Sequence, residues 1–145
     1  MLTIEQTKYE PPFVRERRVE ASELFFPCGL LGFESSKRFR LIALKEMEPF
    51  MWLEGQDGDR HSFLVIPPAG MLEHYNLNLR DEDVDSIGLV SAEDGVVLNI
   101  ATYHSEGKFT INLKGPIIYN RETLVARQVV PQNSADFSLG HRLDA

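Results

Sequence analysis

Short apolar segments dominate this sequence, and each is no longer than a β-strand and is followed by turn residues. In residues 38–44, the apolar Phe39 and Leu41 alternate with arginines, as expected of a strand with one buried face. Branched and aromatic residues favour strands, whereas Gly, Pro, Asp and Asn end them. These signals predict strands over residues 38–44, 50–53, 62–66, 75–79, 96–103, 109–113, 117–120 and 124–130.

A single helix is predicted, over residues 81–87. Acidic residues occupy its first turn, where the helix dipole favours them, and Gly88 follows it. A helix of at most two turns is not stable by itself, so we expect tertiary contacts to stabilise it. Residues 56–59 predict a hairpin turn, because glycine accepts the positive φ that tight turns require. Closely spaced strands with one short helix predict a mostly β fold: a small antiparallel domain, either barrel-like or a sandwich.

The chain length of 145 residues fits one domain, and an apolar content of 43% is enough for a core. We therefore expect one domain over residues 1–145, with an N-terminal segment at 1–12 and a C-terminal tail at 131–145. The tail includes Phe137, Leu139 and Leu143 in polar surroundings. Two interpretations remain open: the tail docks on the domain, or a partner orders it.

Acidic residues outnumber basic ones, giving a net charge of -7, and they concentrate between Lys45 and Asp94. This balance opposes direct binding of nucleic acid, whose phosphates need a basic surface. The acidic region is either a set of solvated loops or a surface that attracts a basic protein. The sequence also has no apolar run of membrane-spanning length and no signal peptide, so we expect a soluble cytoplasmic protein without membrane contact.

Motifs for catalysis or metal binding are absent from the sequence. None of the four histidines has a histidine or cysteine at zinc-ligand spacing. The Asp-Gly-Asp sequence at 57–59 resembles part of a calcium loop, but a basic residue and a histidine follow it instead of oxygen ligands. These patterns predict a non-enzymatic binding domain with no metal and no cofactor.

Cys28 is the one cysteine, which excludes an internal disulfide. It lies between Pro27 and Gly29 without a recognisable base nearby, so we expect it to be buried as a small apolar side chain. Gly29 and Gly32 lack the spacing of a phosphate-binding loop. They are expected instead to let the chain turn sharply between strands.

Five segments resemble, in order, motifs of the FliW family of flagellar assembly factors. The resemblance covers residues 25–133. Its segments are FPCGLLGFE at 26–34 with KRF at 37–39, PFMWL at 49–53, FLVIPP at 63–68, TINLKGPIIYN at 110–120 and QVV at 128–130. The departures from the family pattern are Leu31 in place of proline, Glu54-Gly55 in place of Gln-Ser, Gly115 in place of alanine, and Ala126 in place of glycine.

The resemblance implies a small, mostly β protein without enzymatic activity or cofactor. It implies binding to flagellin in the cytoplasm and binding to CsrA, a small RNA-binding regulator that represses flagellin translation. By sequestering CsrA, such a protein relieves the repression. When flagellin accumulates, it occupies the protein, and CsrA is free to repress again. A monomer is expected, although exposed strand edges would permit a dimer.

These two partners require different surfaces. An acidic surface suits a basic RNA-binding protein, and an apolar groove suits amphipathic helices of flagellin. We expect Ile117 to point outward, because the Gly-Pro pair before it interrupts the strand ladder. The candidate partner-binding residues are Phe33, Trp52, Glu54, Asp81, Glu82, Asp83, Asp85, Pro116, Ile117 and Tyr119, with Phe50 and Ile118 as further apolar candidates.

Two other functions are retained as alternatives. A small β-barrel enzyme or ligand carrier would use three histidines near strand ends, His61, His74 and His104. A nucleic-acid-binding protein would use the basic residues of the first 40 positions: Arg15, Arg17, Arg18, Lys37, Arg38 and Arg40. The net charge opposes the second alternative.

Overall fold

The computed structural model describes residues 2–4, 19–58, 60–69, 72 and 74–143. Within them, strands and one short helix provide the regular structure. The strands are β1 (Leu2–Ile4), β2 (Val19–Phe25), β3 (Arg38–Leu44), β4 (Met51–Gly55), β5 (Ser62–Ile66), β6 (Leu77–Leu79), β7 (Gly95–Tyr103), β8 (Phe109–Ile111), β9 (Ile117–Asn120), β10 (Ala126–Gln128) and β11 (His141–Leu143). The helix α1 is Asp81–Ser86, and single 3-10 turns form at Lys45–Met47, Ala92–Asp94 and Ser134–Asp136.

All strand pairs are antiparallel, and the main sheet has the order β10-β9-β7-β5-β4-β3-β2. The long β7 pairs with β9 along its first half and with β5 and β8 along its second. A smaller sheet pairs β1 with β6. The predicted mostly β, antiparallel fold with one short helix is confirmed.

The two edges of the main sheet approach each other at one end. The amide N of Phe25 in β2 donates to the carbonyl O of Leu124, just before β10, at 3.0 Å. Within the described residues this approach gives only an isolated bridge between Phe25 and Val125, so the sheet does not close into a barrel. The architecture is that of a sandwich.

Two apolar cores lie on opposite faces of the main sheet. The first includes Phe26, Phe39, Leu53 and Leu98. The second is covered by the β1-β6 pair, α1 and the tail. Its buried members are Ile4, Ile66, Tyr75, Leu77, Leu79, Ile87, Leu89, Val97, Ala101, Ile111, Leu113, Ile118 and Val129. Strands between two cores are apolar on both faces, which explains why every residue of β9 is buried.

The prediction that Ile117 points outward is wrong, because its side chain is fully buried in the first core. The Gly-Pro pair ends before β9, and Ile117 itself pairs with Leu98 of β7 and Gln128 of β10. The break therefore redirects the chain into the strand instead of freeing the first strand residue. Tyr119 faces the same core, and Ile118 faces the other.

Cys28 is exposed, so the prediction that it is buried is also wrong. The amide of Gly29 donates to the carbonyl of Phe26 at 2.9 Å, which places Pro27 and Cys28 at the tip of a turn. Phe26 and Leu30, on either side of that turn, are the residues that enter the core. A turn tip has no neighbours on its outer side, and the thiol therefore meets solvent.

The tail docks on the domain, the first of its two interpretations. Strand β11 pairs with β8, and the ring of Phe137 packs edge-on against Tyr75 with centroids 4.8 Å apart. Asn133 accepts a hydrogen bond from the amide of Asn78 at 3.1 Å and donates one to the carbonyl of Asn76 at 2.7 Å. These contacts fix the tail along the second core.

Element boundaries differ from the predicted ones by a few residues. Strands over 38–44, 62–66 and 117–120 have the predicted limits, and α1 ends one residue early, at Ser86. Residues 124–130 form a strand only over Ala126–Gln128. Strands β1, β2 and β11 were not predicted. Of the predicted N-terminal segment, residues 1 and 5–12 lie outside the described residues. No described helix is long and apolar enough to cross a membrane.

Candidate partner-binding surfaces

An open groove of about 480 Å³ lies between the 26–34 loop, the turn before β9 and the tail. We call it the apolar groove. Its described lining residues are Leu30, Leu31, Phe33, Phe63, Ile100, Asn112, Lys114, Gly115, Gln128, Val130, Ser134 and Leu139. Protein pockets for small ligands have comparable volumes. Four of the five segments that resemble FliW motifs contribute to this lining, although they are far apart in sequence.

The 26–34 loop supplies one rim because two glycines allow its turns. Gly29 has φ +66°, and a Cβ there would lie 2.6 Å from the backbone of Glu34. Gly32 has φ +87°, and the amide of Phe33 donates to the carbonyl of Leu30 at 2.8 Å. The prediction of sharp turns at both glycines is confirmed. These turns leave the Leu31 side chain 59% exposed at the rim.

Gln128 of β10 connects the two rims. Its Oε1 accepts a hydrogen bond from the amide of Leu31 at 3.0 Å, and its Nε2 donates one to the carbonyl of Gly115 at 2.9 Å. Proline has no amide hydrogen. The leucine that departs from the family pattern at position 31 therefore permits a hydrogen bond that the usual proline could not make.

The opposite rim is the turn over residues 112–115. Asn112 Oδ1 accepts hydrogen bonds from the amides of Lys114 and Gly115, both at 3.0 Å. Below the turn, buried Asn99 donates from Nδ2 to the carbonyl of Asn112 at 2.8 Å. The Lys114 ammonium donates to the carbonyl of Ser134 at 2.9 Å, which connects this rim to the tail. Both rims are thus held by side chains.

The groove exposes several apolar side chains next to each other. Leu139 is 67% exposed and Val130 is 43% exposed, and both line it together with Leu31. Phe33 packs edge-on against Phe63 with centroids 5.2 Å apart. Contiguous exposed apolar surface marks interaction sites more often than scattered apolar residues do. Phe33 is the one predicted candidate that lines the groove.

The four acidic candidates of α1 have two different environments. Asp81, Glu82 and Asp85 are exposed, and we call these three residues the acidic surface. Asp83 is buried, and its Oδ1 lies 3.1 Å from Nε of Arg127 in β10. Burial raises the pKa of the Asp83 carboxyl above its usual 3.8, while the Arg127 guanidinium opposes that rise. Asp83 therefore holds α1 on the sheet.

Removing the Arg127 charge should change the titration of Asp83. Arg127→Met is expected to raise the pKa of Asp83 further, because burial then acts without the opposing cation. The native state already binds this proton more tightly than the unfolded chain does, and the variant increases the difference. Stability from Asp83 is consequently lost as pH rises from about 3.8 through the folded pKa, over a wider range in the variant.

Carboxyl carbon NMR across a pH titration measures this pKa directly. The exposed arginine at 121 offers a matched control, since Arg121→Met removes an equal charge without touching the ion pair. An unchanged or lower midpoint for Asp83 in Arg127→Met would contradict the assignment.

Trp52 and Glu54 lie on a third surface, the solvent face of β4. Trp52 is 38% exposed and pairs across the strands with Ile42 and Leu64. Glu54 is exposed and lies opposite Arg40 of β3. Neither residue lines the apolar groove.

Three further candidates do not reach the surface. Pro116, Ile117 and Tyr119 are buried, and burial raises the pKa of the Tyr119 hydroxyl above its usual range. Lys114, Gln128 and Leu139 were not among the predicted site residues. The first two belong to segments that resemble FliW motifs, which was the available signal, whereas Leu139 had only its apolar character in a polar tail.

The three histidines of the enzyme alternative are exposed and do not line the groove. His61 packs against the ring of Phe33 with centroids 4.5 Å apart, and His104 Nε2 lies 2.8 Å from Thr110 Oγ1. Among the described residues, no group of three His, Cys, Asp or Glu side chains is placed to hold a metal ion. This geometry gives the enzyme alternative no support.

The basic residues of the nucleic-acid alternative are partly engaged within the protein. Lys37 donates from Nζ to the carbonyl of Pro27 at 3.0 Å, and Nε of Arg38 lies 3.7 Å from Asp57. The three arginines at 15, 17 and 18 lie outside the described residues. Arg40 of β3 lies opposite an acidic residue on each side, Glu23 of β2 and Glu54 of β4.

Comparison with known proteins gives one consistent set of relatives. The family model described as FliW protein matches residues 3–143. A flagellar assembly factor FliW from Leptospira interrogans is 35% identical over 132 residues, covering 90% of this chain and 86% of the relative. One from Clostridium botulinum is 34% identical over 125 residues, covering 86% and 88%. A solved crystal structure of the flagellar assembly factor FliW aligns with a TM-score of 0.73 at 25% identity, covering 92% of this chain and 90% of that one.

Proposed function

This chain belongs to the FliW family of flagellar assembly factors, and we propose that it is a non-enzymatic cytoplasmic protein that binds flagellin and the translational regulator CsrA. We propose further that residues 1–145 act as one domain in this role. The main support is the apolar groove, where segments that resemble the family motifs meet around exposed apolar side chains. A protein that acts by binding other proteins needs such a surface.

Flagellin is the proposed occupant of the apolar groove. Amphipathic helices that pack together in a filament expose apolar faces before assembly, and a groove with apolar walls covers such a face. Gln128 and Asn112 hold the two rims in place, so that little ordering is needed on binding.

CsrA is the proposed partner of the acidic surface. A protein that binds RNA presents basic residues, and these are attracted to Asp81, Glu82 and Asp85. The protein's net charge of -7 adds long-range attraction toward the same partner. In this scheme CsrA is sequestered when flagellin is scarce and released when flagellin occupies the protein.

Titration calorimetry with purified flagellin and purified CsrA tests the proposal. We expect a stoichiometric complex with each partner, and a weaker apparent affinity for CsrA once flagellin is bound. The same titrations with an unrelated basic protein of similar size serve as the control. The proposal is contradicted if the protein binds neither flagellin nor CsrA. Its regulatory part is contradicted if the two partners bind independently of each other.

Charge reversal on the acidic surface should weaken CsrA binding. The double variant Glu82→Lys with Asp85→Lys is expected to raise the Kd for CsrA about tenfold at low salt, or about 1.4 kcal/mol. The difference should shrink as salt screens the charges. Asp83 is left unchanged because its reversal would disrupt the ion pair with Arg127.

A matched control reverses two exposed glutamates elsewhere, Glu23→Lys with Glu106→Lys. The control has the same net charge but keeps the acidic surface intact. Equal weakening by both double variants would show that net charge, and not this surface, determines the affinity. Surface plasmon resonance over a salt series gives both Kd values.

A further inference from the structure

We propose that the apolar groove recognises a carboxylate together with apolar side chains. Its occupant is then an amphipathic segment of a partner protein with two or three apolar side chains and an acidic group beside them. This inference rests on the proposed function in taking the occupant to be a protein segment. It adds the charge that the segment must bear and the residue, Lys114, that recognises it.

The shape and the walls of the groove define the apolar part. A cavity of roughly 150 Å³ accepts one benzene-sized group. The groove's volume of about 480 Å³ therefore accepts up to three apolar groups of that size. Leu31, Val130 and Leu139 line it with more than two fifths of their surface still exposed. Covering them is favourable by roughly 25 cal/mol per Å² of apolar surface.

Charge complementarity defines the acidic part. Among the described residues lining the groove, Lys114 is the single charged side chain, and no carboxylate accompanies it. An ammonium group has three donors, and the carbonyl of Ser134 accepts one of them at 2.9 Å. The other donors are available to an acidic group, and a charge-assisted hydrogen bond is stronger when apolar walls exclude water.

The groove and the acidic surface therefore select opposite charges. A segment with an acidic group is repelled at long range by a protein of net charge -7, and Lys114 offers it a local partner only inside the groove. A basic segment meets a cation there and is disfavoured. The two surfaces thus distinguish an acidic amphipathic partner from a basic one.

Selection from a phage-displayed library of helix-forming 14-residue peptides tests the inference. Wild-type protein should enrich peptides with apolar residues at helical spacing and an Asp or Glu next to that face. The variant Lys114→Glu should enrich Lys or Arg at the same place instead. The matched control Lys108→Glu reverses an exposed lysine that does not line the groove, and it should select the same peptides as the wild type.

Affinities of one selected peptide complete the test. Replacing the peptide's Asp or Glu by Asn or Gln should weaken its binding to wild-type protein about tenfold. The same replacement should not change the peptide's affinity for the variant Lys114→Met. A peptide with its only carboxylate at the C-terminus distinguishes a terminal from a side-chain acid. Selection of peptides without acidic residues, of peptides unaffected by Lys114→Glu, or of none at all would overturn the inference.

This outcome is separable from that of the proposed function. If flagellin binds the wild type and Lys114→Glu equally well, the proposed function stands and the inference fails. If flagellin does not bind at all while acidic peptides are selected through Lys114, the inference stands and the proposed flagellin partner fails.

Discussion

Ile117→Ala is expected to lower the free energy of unfolding by about 3 to 4 kcal/mol, because a fully buried isoleucine leaves a cavity when truncated. The side chain lies in the first core, and its strand has a paired neighbour on each side, β7 and β10. Neighbouring strands cannot collapse into the space without breaking their pairing. Binding to either partner should fall only by the fraction of protein that is unfolded.

Urea denaturation followed by circular dichroism measures this loss. Leu139→Ala is the matched control, since it also shortens an aliphatic side chain but one that is 67% exposed, and it should change stability by less than about 0.5 kcal/mol. If Ile117→Ala left stability intact and still abolished partner binding, the buried placement of this side chain would be wrong.

Acidic substitutions in the apolar groove should nearly abolish flagellin binding. The double variant Leu31→Asp with Leu139→Asp is expected to raise the Kd for flagellin at least about 100-fold, or about 2.7 kcal/mol. It removes exposed apolar contact area from two walls and forces two carboxylates to lose water on binding. Affinity for CsrA in the absence of flagellin should not fall, because the acidic surface is untouched and the two added carboxylates only make the net charge more negative.

The control for this variant uses exposed positions of β4 and β7. Trp52→Asp with Tyr103→Asp replaces two partly exposed aromatic residues that do not line the groove. Melting temperatures confirm that both double variants fold. Loss of flagellin binding in the control but not in the groove variant would assign flagellin to the β4 face.

Local patterns predicted the strands that have one clear buried face. The alternation of Phe39 and Leu41 with arginines gave the exact limits of β3. Strands β1, β2 and β11 escaped prediction for two reasons. Strands β1 and β11 have three residues each, too few to show an alternation, and β2 includes polar residues on both faces. They form because a partner strand and a core are already present.

Long-range arrangement explains the error about Ile117 and the burial of Asp83 among exposed acidic neighbours. A Gly-Pro pair signals a break, but only the presence of a second core shows that Ile118 and its neighbour Ile117 are both covered. The acidic run of α1 looks uniform, and Arg127, far along the chain, makes Asp83 different from the others. Neither relation leaves a local signal.

The candidate site was the least predictable part for the same reason. Its rims meet through a hydrogen bond between Leu31 and Gln128, which are 97 positions apart. The resemblance to family motifs indicated which segments matter, and the folded sheet determined which of their side chains face one another. Phe33 lines the groove, and its contact with a partner stays a prediction.

The docked tail determines when the groove becomes complete during synthesis of the chain. Ribosomes deliver the 26–34 loop early and the acidic helix midway, whereas Leu139 and the Ser134 carbonyl that holds Lys114 emerge after every other wall. The acidic helix also depends on a late residue, because Arg127 of β10 fixes it to the sheet through Asp83. A newly made molecule therefore gains the surfaces proposed for CsrA and for flagellin together, once its last strands have been made.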